Sequence, residues 1–101
     1  MLNPMKHYIL SMALGVGLLA AAPVHAACYA DYKAKKDNPL QLHYGVIALP
    51  DSACSSARAA AQSVAPRLQA AGWTLLNIVS VFDDRGLDRR QANAGQYFLR
   101  F

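Results

Sequence analysis

Residues 9–22, Ile-Leu-Ser-Met-Ala-Leu-Gly-Val-Gly-Leu-Leu-Ala-Ala-Ala, form an uncharged run of 14 positions, and beyond it the apolar spacing becomes periodic. Over 28–37, Tyr29, Tyr32 and Lys36 recur at helical spacing, which predicts a short helix. Asn38-Pro39 would end it, because the residue before a proline is driven out of helical backbone. Residues 40–49 begin with apolar and polar positions in alternation, the strand period. Pro50-Asp51-Ser52 is a turn that can cap the element after it. A long helix is expected from 52 or 53 to 71, with Ala57, Ala60, Ala61, Val64 and Leu68 as a narrow apolar stripe. Gly72 supplies its left-handed stop, and Pro66, which removes one hydrogen bond, predicts a kink or a break. Residues 73–83 are apolar on both faces, the pattern of a central strand. Asp88-Arg89-Arg90-Gln91 reads as a capping box opening a very short helix closed by Gly95. Residues 96–101 read as a last strand.

This order predicts a single small α+β domain over 27–101. The long helix between the first two strands favours a right-handed parallel βαβ crossover. The short second connection favours an antiparallel return, so the expected sheet is three-stranded and mixed, packed by the N-terminal helix and the long kinked one. Alternate positions then sort into two faces. One holds Leu40, Leu42, Tyr44, Val46, Trp73, Leu75, Val79, Val81, Tyr97, Leu99 and Phe101, and is expected beneath the long helix. The other holds Gln41, His43, Ile47, Thr74, Leu76, Ile78, Ser80, Phe82, Phe98 and Arg100. On that second face Leu76, Ile78 and Phe98 are expected to form an apolar patch rimmed by polar groups, as at partner surfaces.

The beginning of the chain changes the picture. Lys6 and His7 precede the apolar run, and Pro23-Val24-His25-Ala26 puts small residues three and one positions before a cut after Ala26. Residues 1–26 therefore read as a secretory signal; Met5, directly before Lys6-His7, would serve as its start as well as Met1 does. A spanning helix needs about 20 apolar residues, so no stable membrane span is expected after processing. His25, where a lipoprotein signal needs an aliphatic residue, excludes lipidation at Cys28. The expected destination is the periplasm or beyond. The 75 residues from Ala27 onward carry 9 Lys and Arg, 6 Asp, no Glu and one histidine, His43. Cys28 and Cys54, an even pair in an oxidising compartment, are expected to form a disulfide. A catalytic redox pair needs closer thiols, and a zinc site needs more ligands than these two cysteines provide.

The stretches Cys28-Tyr-Ala-Asp-Tyr-Lys-Ala-Lys-Lys-Asp37, Leu42-His-Tyr-Gly-Val46 and Ala71-Gly-Trp-Thr-Leu-Leu-Asn-Ile-Val-Ser-Val-Phe82 resemble a group of short exported bacterial proteins of unknown function. That resemblance implies a compartment and no chemistry. The helix followed by Gly72-Trp73 and a strand loosely resembles the peptidoglycan-binding SPOR domain, which would imply glycan binding. The second helix of that family is shortened here and its fourth strand is missing.

Titratable groups are few. His43 would need Asp31 or Asp83 brought beside it for acid–base work, the basis of a remote small-hydrolase reading. Residues 83–90, Asp-Asp-Arg-Gly-Leu-Asp-Arg-Arg, match no calcium-loop spacing, and their arginines would repel a cation. Ser52, Ser55 and Ser56 lack a nucleophile elbow and read as caps and surface. Nothing in the pattern calls for a cofactor or a metal. Lys33, Lys35, Lys36, Arg85, Arg89, Arg90 and Arg100 supply the basic excess, and export argues against nucleic acid as a partner. The expectation is a non-enzymatic exported binding or assembly module. Its surface would comprise His43, Ile47, Thr74, Leu76, Ile78, Phe98 and Arg100, and its partner would be another protein or a second copy. The alternative is a module for envelope glycan or anionic lipid.

Overall fold

The computed structural model describes residues 26–101; the export segment expected over 1–26 lies outside them except for Ala26. Strand β1 (Cys28–Lys36) opens the chain and is followed by β2 (Gln41–Leu49), a 3-10 turn at Asp51–Ala53 and helix α1 (Ala57–Ala70). Strand β3 (Thr74–Phe82), a 3-10 turn at Asp84–Gly86, helix α2 (Asp88–Ala94) and a 3-10 turn at Gly95–Tyr97 complete it. The sheet order is β2-β1-β3, and both outer strands run antiparallel to β1. The α+β class and the disulfide stand. The mixed sheet does not, because every pairing is antiparallel: β2 and β3, joined through α1, run in the same direction, but β1 lies between them and they do not pair.

The largest correction is β1 itself. Residues expected to form an N-terminal helix form the central strand. Cys28, Ala30, Tyr32 and Ala34 alternate with Tyr29, Asp31, Lys33 and Lys35, and the first set is buried throughout. That is a strand period, and the tyrosines favour it. A four-residue turn, Asp37-Asn38-Pro39-Leu40, joins it to β2, with Asn38 in the left-handed region at φ 61°. Asparagine tolerates that backbone at little cost.

Helix α1 lies over one face. Ser56 caps it, its hydroxyl accepting from the Ala59 amide at 3.0 Å. Gly72, at φ 88°, ends it as expected: the Gly72 amide donates to Gln69 and the Trp73 amide to Leu68. Pro66 sits on the exposed side of a helix that runs unbroken from Ala57 to Ala70. Ala60, Val64 and Leu68 are buried against Ala30, Tyr32 and Ala34 of β1, Ile47 and Leu49 of β2, and the partly buried Leu75, Ile78 and Val81 of β3. Full burial of a side chain such as Val64 or Leu68 stabilises by about 2 kcal/mol. Tyr32 lies flat across its cross-strand partner Gly45, where a Cβ would come within 2.6 Å of the Tyr32 ring. Only glycine permits that approach.

The expected faces were paired wrongly between strands, and two irregularities in β3 explain part of it. Its register against β1 shifts between Asp31 and Tyr32 and again between Lys33 and Ala34, leaving Val79 and Leu76 without partners on β1. Each extra residue flips the rest of the strand to the other face. Ile78 therefore turns into the core, whereas Val79 and Leu76 are exposed. On β2 it is His43, Ile47 and Leu49 that face α1, and Leu42 that faces away. The apolar run of β3 marks an edge strand with two irregularities, not a central strand.

The opposite face is covered only in part. Arg90 of α2 reaches Asp31, bringing that helix onto the Asp31 end. Asp88 caps nothing, so the expected capping box is not formed; α2 begins after Leu87 without a side-chain cap. The expected last strand is absent as well. Leu99 adopts φ 57°, which interrupts an extended run, and residues 95–101 make one parallel bridge, Val46 to Phe98. This tail follows the outer edge of β2 and sends Tyr97 and Phe101 back against the core.

Candidate functional site

Three groups of side chains carry chemistry: a carboxylate network, a histidine in an aromatic box, and an open groove. The first is organised by Asp31, only 4% exposed. Its carboxylate accepts from the Tyr44 hydroxyl at 2.8 Å, the Ser80 hydroxyl at 2.6 Å and the Arg90 guanidinium at 3.0 Å. Burial alone would raise the Asp31 pKa. The hydrogen bonds from Ser80, Tyr44 and Arg90, with the Arg90 charge, outweigh it and hold the carboxyl below its ordinary range. Burial and the same carboxylate push the Tyr44 phenol up to about 12. Every strand and α2 contribute one member, so the network locks α2 to the sheet.

The second group surrounds His43, which lies on the α1 face. Its ring stacks on Tyr97 with centroids 3.7 Å apart, meets Trp73 edge-on at 4.3 Å and lies 6.1 Å from Phe101. Nε2 is 3.0 Å from the Tyr32 hydroxyl, and Nδ1 is buried without a hydrogen-bond partner. Burial, then the nearby Lys36 charge, push the His43 pKa down. Arg67 fastens the tail over this box, donating to the carbonyls of Ala48 at 2.7 Å and Phe101 at 2.8 Å. Asp31 and His43 sit on opposite faces of the sheet. The pairing that a small hydrolase built on them requires is not formed. Asp83 is held by Arg85 at the turn after β3, so it too is committed elsewhere.

The third group lies on the Asp31 face, beyond the end that α2 covers. Lys33, Leu42, Tyr44 and Leu76 line an open groove of about 330 Å³, floored by the backbone of β1 and β2 at Ala34 and His43. Leu42 is 66% exposed and Leu76 49%, and the unpaired position of Leu76 in β3 is what turns it this way.

The expected surface residues therefore divide. Leu76 lines the groove, and Thr74 is exposed beside it on β3. His43 and Ile47 are buried beneath α1 and its flanking tail. Ile78 packs on the core, Phe98 sits at the bridge to β2, and Arg100 lies near the Tyr97 ring. Sequence reasoning missed Lys33, Leu42 and Tyr44. The alternation of 28–35 was a signal that β1 is a strand with Lys33 on one face; only the register, Lys33↔Tyr44 and Lys35↔Leu42, brings it beside Leu42 and Tyr44. Among the described residues no helix is long and apolar enough to cross a membrane. No family model, curated protein or solved structure matches the chain.

Proposed function

We propose that this protein is an exported, disulfide-locked binding module without catalytic chemistry of its own, working through the groove between Leu42 and Leu76. One observation carries the reading. Two large leucines stand largely in water on either side of an open groove, on a face that α2 and the Asp31 network leave uncovered at that end. Exposed apolar groups clustered beside polar ones mark interaction surfaces. A 75-residue domain with so small a core has little reason to leave this much apolar surface outside it. The Cys28–Cys54 disulfide agrees with an oxidising compartment such as the periplasm. The neutral dye Nile red, which brightens in apolar surroundings, tests the reading. Wild type should bind it, and Leu42→Ser with Leu76→Ser should abolish binding while circular dichroism and melting temperature stay close to wild type. Dye binding unchanged in the double variant overturns the assignment of this face.

A further inference from the structure

If the groove is the working surface, its lining says what kind of molecule fits it. The floor runs across β1, the middle strand, and its neighbour β2: Lys33↔Tyr44, Ala34↔His43 and Lys35↔Leu42 are paired in register, and Lys33 and Ala34 pair with β3 on their other side. On β1, which lies beneath the groove, the backbone groups at Lys33 and Ala34 face strands on both sides. A peptide laid along this floor would bring its own amides and carbonyls against leucine and tyrosine side chains with nothing to bond them, and buried unsatisfied backbone is costly. A hydrocarbon chain brings no such groups. The volume, about 330 Å³, lies at the small end of the range for ligand sites and suits one chain better than a bulky ring system.

The charge in the groove has one sign. Lys33 is the sole charged residue lining it, is exposed, and has no ion-pair partner among the described residues. Asp31, the acid on the same face, is already bonded by Tyr44, Ser80 and Arg90. Lys35 is engaged with Asp37 at 3.4 Å. Tyr44 presents its ring to the groove while its hydroxyl is spent on Asp31, so it acts as an apolar wall. Leucine at two sides, an aromatic wall and one free ammonium form the complement of an anionic amphiphile.

We infer that the groove holds the hydrocarbon chain of a free single-chain anionic amphiphile, a fatty-acid-like carboxylate, between Leu42, Tyr44 and Leu76, with Lys33 on its head group. This rests on the groove being the working surface. The extra residue in β3 then has a purpose: it gives up a ladder position to aim Leu76 into the site.

Calorimetric titration of the folded protein with dodecanoate near neutral pH, below its micelle concentration, tests the inference. An uncharged dodecyl glycoside, an acidic peptide and anionic phospholipid vesicles serve as comparison probes. Dodecanoate should bind one to one, more tightly than the glycoside, and the peptide should not bind. Lys33→Glu should weaken dodecanoate by about tenfold, the size of one charge-assisted contact, and leave the glycoside unaffected or stronger. Lys33→Arg should restore most of the loss. Equal binding of both dodecyl probes, or indifference to Lys33→Glu, overturns the anionic head group. Binding to vesicles without binding to dodecanoate overturns the single-chain ligand in favour of a membrane surface, and tight binding of the acidic peptide overturns the argument from the backbone. In each of these outcomes Nile red still answers to the leucine variants. Failure of the groove reading itself is marked by dye binding that ignores them.

Discussion

Asp31 is a buried carboxylate whose cost of leaving water is met by three donors, and Arg90 supplies the only full charge among them. Removing one member of such a pair is worse than removing both. Arg90→Met should cost about 3–5 kcal/mol in urea unfolding, because Asp31 stays buried with only neutral donors. Asp31→Leu combined with Arg90→Met should recover much of that loss; a double variant as unstable as the single one would refute the pairing as the cause. His43 obeys the opposite logic. Its neutral form is the one the aromatic box accepts, and Tyr32, Lys36, Trp73, Tyr97 and Phe101 face it without an acidic side chain among them. Its folded pKa lies below the unfolded value of about 6.5, so its contribution is intact above that pH and is lost as pH falls toward the folded value. The slope can reach about 1.4 kcal/mol per pH unit for one proton. Between roughly pH 7 and 5 the wild-type melting temperature should fall while that of His43→Phe stays nearly level, since the stability that Asp31 holds through its lowered pKa is lost only as pH falls below about 5. Parallel curves for the two proteins would exclude His43 as the titrating group.

At the scale of elements, the helix stripe and its stop were plain in the sequence. Ala60, Val64 and Leu68 repeat every four residues, Gly72 ends the run, and local spacing decides such an element. Strand β1 was less plain, because Tyr29, Tyr32 and Lys36 fall at helical spacing while Cys28, Ala30, Tyr32 and Ala34 alternate by two. Three residues at helical spacing are a weak signal, and burial of the alternating set under α1 decides for the strand. The small size of Ala30 and Ala34 belongs to a strand that lets a helix sit close. The two irregularities of β3 left no such trace. No glycine or other local mark distinguishes Leu76 or Val79, and which residue is left unpaired depends on how β1 and β3 twist together. For that reason Leu76 is exposed while Ile78, two positions on, packs on the core, and Leu42, on another strand, is the neighbour of Leu76 in the groove.

Across the whole molecule, one covalent link and one tail close a thin core. Cys28 begins the central strand and Cys54 precedes α1, with Cα atoms 5.9 Å apart and 26 positions between them in sequence. Loop-closure entropy for that span corresponds to roughly 3.5 kcal/mol. Reduction, or Cys28→Ala with Cys54→Ala, should lower stability by about that amount, a large share of what a domain of this size possesses. A reduced protein with an unchanged urea midpoint would show that the link constrains nothing the fold has not already fixed. What the sequence by itself determined were the short-range features: the cysteine pair, the extended runs of β2 and β3, the stripe of α1, the glycine stop, and a basic composition. Tertiary structure alone decided the order β2-β1-β3, the partners of Asp31, the burial of His43 and the place of the groove. Each of these joins residues from different elements, and a period along one strand says which side chains share a face without saying which face of the neighbouring strand they meet.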